Sequence, residues 1–399
     1  MRIHSTPLAK MKAYNENWVR NKHITEQAAH WQRQGLFDEA KMRQIREKFP
    51  VGFHESNGFI EIGLFVFSIV AVSGGYFLLA TLLSKLFEVN LFYHFFNIGF
   101  GVAIGFLANH LINSRNHYRA GTDNALIIAA VALVIVGVIG LFPDNLPLWQ
   151  YCVIGLPLVL FGVWYYSDLL LTLAAFVILA VALFDFILEF SFGKQLLPFV
   201  LMGVSAGLYV LARLYEDRDE MVYWRDNLIL LEWLSLSLLL ISCNYYAVRE
   251  LNYWMMDRRP AEAPEIAWAG LFWTLTIAVP IALFYLGFRQ KERPLLIMSA
   301  IGWGLALATW RYFHPLFSLE VYLAVNGLSL ILIAVFLIRY LRVPQAGFTD
   351  RPDEDSPNQF LINAELLASV QATSGHLGSK DDMRFGGGDF GGGGSGERY

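Results

Sequence analysis

From Phe59 to Arg342 the chain is a near-continuous series of apolar runs, each long enough to cross a lipid bilayer. A hydrocarbon core of roughly 30 Å takes about 20 apolar residues in a helix, because each residue advances only about 1.5 Å along the axis. In lipid the backbone must satisfy its own hydrogen bonds, and a helix does so within one segment. Ten runs meet the length: Phe59–Leu83, Leu91–Ile112, Asn124–Phe142, Trp149–Tyr166, Leu169–Leu188, Leu196–Tyr215, Leu228–Ala247, Ile266–Phe288, Leu295–Phe313 and Val321–Leu341. Charged residues make up 16% of the 399 positions, against about 25% in soluble domains. The reading is an all-α fold: a polytopic helical membrane bundle of about ten transmembrane helices with a small N-terminal cytoplasmic helical domain. The fourth and fifth runs are parted only by Ser167-Asp168 and read as a tight hairpin or as a single broken pass.

Three regions follow: a helical head over 1–57, the bundle over 58–342, and an acidic, then glycine-rich tail over 343–399. In the head, Leu8, Met11, Tyr14 or Asn15, and Trp18 form an apolar stripe that predicts a helix from about Leu8 to Lys22. Thr25 offers an N-cap for a second helix that Gly35 would stop, and Asp38 caps a third that ends before Pro50. The head carries ten Lys and Arg against six Asp and Glu, which suits a solvated charged face, an anionic membrane surface or an acidic partner. The tail has four basic residues against nine acidic ones. A short apolar stretch from Phe360 to Val370 reads there as an amphipathic helix, before glycine-rich sequence that cannot bury enough surface to fold alone. An acidic tail and a basic head on one face of the membrane would attract.

Lys and Arg near the run ends set the orientation. With the amino terminus inside, fifteen such residues fall on the inner side and six on the outer, which places both termini in the cytoplasm. Merging the fourth and fifth runs would move every later basic loop across the membrane, so the even count fits better. Arg249, Arg258 and Arg259 then lie outside, balanced by Glu250, Asp257, Glu262 and Glu265, with Tyr253 to Met256 reading as a segment in the membrane interface. Gly101-xxx-Gly105 and Gly203-xxx-Gly207 are small-residue faces on which helix backbones could approach closely.

The pattern Trp18-VRNKHITEQAAHWQRQGL, a further short helix ending in Lys48-Phe49-Pro50, and then a glycine-bearing first span resembles an uncharacterised bacterial family of polytopic membrane proteins. Its members open with the domain of unknown function numbered 2157. The likeness covers about the first hundred residues. It implies a protein of the bacterial inner membrane and supplies no catalytic residues.

An ionisable group at bilayer depth is costly, so each one is a functional candidate. Toward the outer side, Asp185 and Glu189 sit four apart on one helix face and could share a proton or a cation. Pairing of Asp185 with Arg311 or Lys194 is the structural alternative. His94, Arg311 and His314 complete the outer set, with Glu320 nearby. Toward the inner side lie Glu61, Glu232 and Arg213, with His110 and Asp168 at similar depth, and a Glu61 or Glu232 pair with Arg213 would be structural glue. Asn97, Asn244 and Asn326 read as interhelical hydrogen bonders. No phosphate-binding glycine loop, HExxH, CxxC or GxSxG occurs. Cys152 and Cys243, inside apolar runs, read as small buried hydrophobes. No catalytic residue, metal site, cofactor or nucleic-acid surface is assigned, and the expected partners are the lipid bilayer and a cytoplasmic protein at head or tail.

Three functions compete on these residues. A non-enzymatic sensing or scaffolding protein is favoured by the polar appendages and the scarcity of mid-span charge. A secondary transporter would use the Asp185/Glu189 pair but lacks a clear inverted repeat. An intramembrane enzyme acting on a lipid-linked substrate would need His94, Asp185, Arg311 and His314 to converge.

Overall fold

A computed structural model describes residues 12–53, 58–88, 90–256, 265–315 and 318–342, and for residues 58, 59, 88 and 256 the backbone alone. The tail, with its amphipathic stretch and its contact to the head, lies outside the described residues, as do Leu8, Met11 and most of the charged loop after Met256. Thirteen α-helices make up the described fold, and no strand occurs among these residues. Ten of them are long and apolar enough to cross a membrane. The chain is an all-α, multi-pass membrane protein.

Two helices precede the bundle. α1 (Glu16–Arg33) is capped by Asn15, whose side chain accepts from the Asn17 and Trp18 amides. It runs unbroken through Thr25, because that hydroxyl donates to the Lys22 carbonyl at 2.8 Å and so serves inside the helix instead of starting a new one. One helix therefore stands where two short ones were expected. α2 (Glu39–Lys48) starts at Asp38, which accepts from the Lys41 amide at 3.0 Å.

The spans are α3 (Gly58–Leu82), α4 (Asn90–Arg115), α5 (Thr122–Ile139), α6 (Leu148–Tyr166), α7 (Leu169–Leu188), α8 (Gly193–Glu216), α9 (Arg225–Cys243), α11 (Ala269–Gln290), α12 (Arg293–Phe313) and α13 (Leu319–Leu341). Between α9 and α11 lies α10 (Tyr245–Met256), too short to span. The seventh run is shorter than its apolar pattern because Asn244 turns the chain. Asn244 Oδ1 accepts from the Ala247 amide at 3.1 Å, capping α10, while Nδ2 donates to Thr309 Oγ1 at 2.9 Å.

Sequential spans pair as hairpins, α4 with α5, α6 with α7, α8 with α9 and α11 with α12. α5 also packs on α3 and α6, and α9 on α7, α11 and α12, so these two helices are the axes of the two halves. Gly101 permits the α4–α5 contact, since a Cβ there would stand 2.8 Å from the Ala130 carbonyl oxygen. Gly203 and Gly207 face open space, so among the described residues that small-residue face meets no neighbouring helix. Asn97 bonds across helices, accepting from the Tyr76 hydroxyl at 2.8 Å, whereas Asn326 donates within its own helix. No residue of α13 is buried, and its Tyr322 hydroxyl reaches α12 by donating to the Leu307 carbonyl at 2.8 Å.

Candidate functional site at the head end of the bundle

The amino-terminal segment does not stand apart from the spans. Ala13, Tyr14 and Val19 belong to the same buried cluster as Ile104, Ala108, Ile127, Val159 and Leu171 of the bundle. Backbone and side chain both hold it there. The Ala13 amide donates to the Tyr165 carbonyl at 3.1 Å, and the Tyr14 hydroxyl donates to Asp123 Oδ2 at 2.9 Å. Asp123 is fully enclosed, and its other oxygen accepts from the Ala120 amide at 2.8 Å. Burial, followed by the adjacent carboxylate, holds the Tyr14 hydroxyl protonated well above the ordinary phenol range. Around it, Phe53 stacks on Tyr118 at 4.4 Å, and Tyr14 meets Tyr118 edge-on at 5.0 Å.

The receiving surface is a polar layer at the head ends of α5, α6, α7 and α9. The α6–α7 connection is the tight hairpin: Ser167 adopts a left-handed backbone at φ +52°, and Asp168 caps α7 by accepting from the Leu171 amide at 2.9 Å. Asn227, in the first turn of α9, knits this turn together. Its Nδ2 donates to the Asp168 carbonyl at 3.0 Å and to Thr172 Oγ1 at 2.6 Å, and its Oδ1 lies 2.6 Å from Ser167 Oγ. Arg119 closes the layer, donating to Asp226 Oδ2 at 2.5 Å and to the Ser167 carbonyl at 3.2 Å. Burial pushes the Asp168 carboxyl up from its usual range, opposed by the Leu171 amide and Arg119.

The short 3-10 turn Asp219–Trp224 is the third contact. Tyr223 donates to the Tyr165 carbonyl at 2.8 Å and sits within reach of the Tyr14 amide, and Lys12 lies over the Tyr223 and Trp224 rings at 4.7 and 4.1 Å. Arg20 of α1 donates to the Asp219 carbonyl at 3.3 Å, and His23 hydrogen-bonds Arg225. Burial first, then the Arg225 charge, lowers the His23 pKa below its ordinary value.

The inner residues singled out from sequence divide between two places. Arg213 binds Glu216 at 2.8 Å and Glu292 at 2.7 Å, with Asp217 at 3.7 Å, and pairs with neither Glu61 nor Glu232. Glu232 is buried beside this group. Glu61 opens α3, and its carbonyl abuts Gly121 so closely that a Cβ at that glycine would overlap it.

At the far end, Asp185 and Glu189 both engage Trp149 at the start of α6. Asp185 Oδ2 accepts from the Trp149 amide at 2.9 Å, and Glu189 Oε1 accepts from its indole N–H at 2.7 Å. Neither Arg311 nor Lys194 is paired with Asp185; Lys194 donates to the Met255 carbonyl at 3.2 Å. Arg311 lies over the Tyr322 ring at 5.9 Å, His314 stacks on Trp310 at 4.5 Å, and His94 packs against Gly140 between α4 and α5. Among the described residues no hydrogen bond or ion pair joins these three to the carboxylate pair. Asp185 and Glu189 therefore share one place, at Trp149, to which no such bond ties His94, Arg311 or His314.

Tyr14, Asp123, Arg119, Ser167 and Asn227 are absent from the sequence-derived set. The available signal is that Asp123, Ser167-Asp168 and Asn227 are polar residues directly bordering the third, fourth, fifth and seventh apolar runs, all on the side assigned to the head. Comparison with family models, with curated proteins and with solved structures finds no match. Fold and site define a multi-pass helical membrane protein whose amino-terminal segment is part of the bundle's core, with no chemistry assigned by relatives.

Proposed function

We propose that this chain is a non-enzymatic sensing or scaffolding protein of the bacterial inner membrane, with head and tail in the cytoplasm and the head as its receiving element. The observation that carries the reading is the burial of Tyr14 against Asp123, which ties the head to the spans. A partner that pulls on α1 then acts directly on the ends of α5, α6, α7 and α9. Coupling of this kind requires a contiguous packed path with two arrangements, and the Asn227–Ser167–Arg119 layer offers a compact, breakable one. A groove of about 480 Å³ between α1 and α2, lined by Lys22, Glu26, Met42, Arg46 and Phe49, gives the head a mixed charged and apolar face for a protein segment. The basic excess near the head-side span ends supports the cytoplasmic orientation. The first-hundred-residue resemblance to the bacterial family supports the compartment.

Amide exchange on the full chain in lipid nanodiscs tests the coupling. Tyr14→Ala is expected to raise exchange in α1 and also at Ala120–Asp123 and Ser167–Thr172. If only α1 loosens, the head is a passive appendage and the reading is lost.

A further inference from the structure

Glu232 lies two turns into α9 from Arg225 and is only 3% exposed. Its Oε1 is sealed from solvent with no hydrogen-bond partner. Its carboxyl lies against that of Glu216, within electrostatic reach of Arg213 and Glu292. The Arg213 guanidinium is already committed to Glu216 and Glu292, and the Tyr209 hydroxyl donates to Glu292 at 3.2 Å. Arg225 approaches Glu216 no closer than 4.0 Å while bonding His23. A buried carboxylate with an unserved oxygen is costly, and a second carboxylate beside it adds repulsion.

We infer that Glu232 and Glu216 form a proton-binding site at the head end of the bundle, in which one proton is held between the two carboxyl groups. A proton supplies what the geometry lacks, an O–H between adjacent acceptors and one charge fewer in a buried place. Counting the groups in contact, Glu216, Glu232, Glu292 and the more exposed Asp217 face Arg213 and the more distant Arg225, two positive charges short of neutral. Other charged groups toward this end include Arg218, Asp219 and Glu220 at the 3-10 turn, Arg20 of α1, Arg119 and Asp123 at the start of α5, Asp226 of α9, Arg289 and Lys291 by the end of α11, Arg293 of α12 and Asp168 before α7. Asp226 and Asp168 are engaged elsewhere, by Arg119 and by the Leu171 amide. A metal ion fits less well, since no group of three His, Cys, Asp or Glu among the described residues is disposed to hold one. The Glu216 side chain is 11% exposed and connects the site to water at the head side. Because Arg225 stands between Glu216 and His23, a proton gained or lost here alters the pull on α1.

Dicyclohexylcarbodiimide reacts with protonated carboxyls in apolar surroundings, and peptide mass spectrometry locates the adduct. The full chain in nanodiscs would be labelled between about pH 5 and 9. The expected result is an adduct on Glu232 or Glu216, forming about tenfold more slowly for each pH unit above the midpoint. Sodium at high concentration leaves the rate unchanged. Absence of label on both residues at every pH, in protein that still unfolds cooperatively, overturns the inference. Protection by sodium that does not depend on pH overturns it in favour of a cation site. The measurement is made on unaltered protein, so it does not depend on Glu232→Gln folding; where that variant folds, labelling of Glu216 is expected to move to lower pH, because a lone carboxyl beside Arg213 gives up its proton more readily.

Discussion

The Tyr14 hydroxyl donates to Asp123 at 2.9 Å across 109 positions of the chain, joining the head to the first turn of α5. Tyr14→Phe keeps the ring in its aromatic pocket and removes one donor from a buried carboxylate. Leaving such an acceptor short costs about 1–3 kcal/mol. The expected outcome is a lower thermal midpoint in detergent, with the Tyr14→Phe/Asp123→Asn double variant losing less than the sum of the two. Strict additivity would show that the bond contributes nothing to docking.

His23 makes that docking sensitive to acid. Burial and then Arg225 lower its folded-state pKa from the ordinary 6.5, so the native state prefers the neutral ring. The unfolded or undocked chain takes up a proton first as pH falls. The contribution is therefore present above pH 6.5 and is lost as pH drops through that value toward the lowered one. Amide exchange in α1 should rise on acidification, and His23→Gln should flatten the profile. An unchanged profile in the variant would assign the sensitivity to another group.

Glycine substitutions separate close approaches from open faces. Gly121 sits at φ +83° with its Cα against the Glu61 carbonyl, so Gly121→Ala is both strained and overpacked. It should destabilise the chain by more than about 1 kcal/mol. Gly203→Ala and Gly207→Ala meet nothing within 4 Å and should be neutral or stabilising by up to about 1 kcal/mol, the helix-propensity difference. Comparable losses at all three positions would mean that α8 packs against a second surface.

These contrasts also mark what could be read from sequence. The ten spans were legible because bilayer thickness fixes helix length, and the Ser167–Asp168 hairpin is favoured over a single broken pass because an even count keeps the later basic loops on the side of the basic head. The stop at Gly35 and the cap at Asp38 followed from local backbone chemistry. Thr25 and Asn244 misled, since a hydroxyl can serve inside a helix and an asparagine can end one within an apolar run. The Tyr14–Asp123 contact and the Arg213 group depend on residues brought together from distant runs, for which no local period exists. Gly203-xxx-Gly207 has the spacing of a packing face without a partner, because spacing records what a surface permits and not what covers it.

At the far end, Asp185 takes the Trp149 amide and Glu189 its indole N–H. An acceptor at a helix start is worth about 0.5–2 kcal/mol, so Asp185→Ala should cost that much, and Trp149→Phe should loosen Glu189 alone. Thermal unfolding of the unaltered protein beside Asp185→Asn/Glu189→Gln, across a panel of ions, metabolites and lipids, decides between anchoring and binding. A ligand that binds the native state raises the midpoint by mass action. A shift in the unaltered protein that the double variant lacks would restore the pair as a transport site. With the pair held by Trp149, the expected result is a lower midpoint in the variant and no ligand-dependent difference between the two proteins.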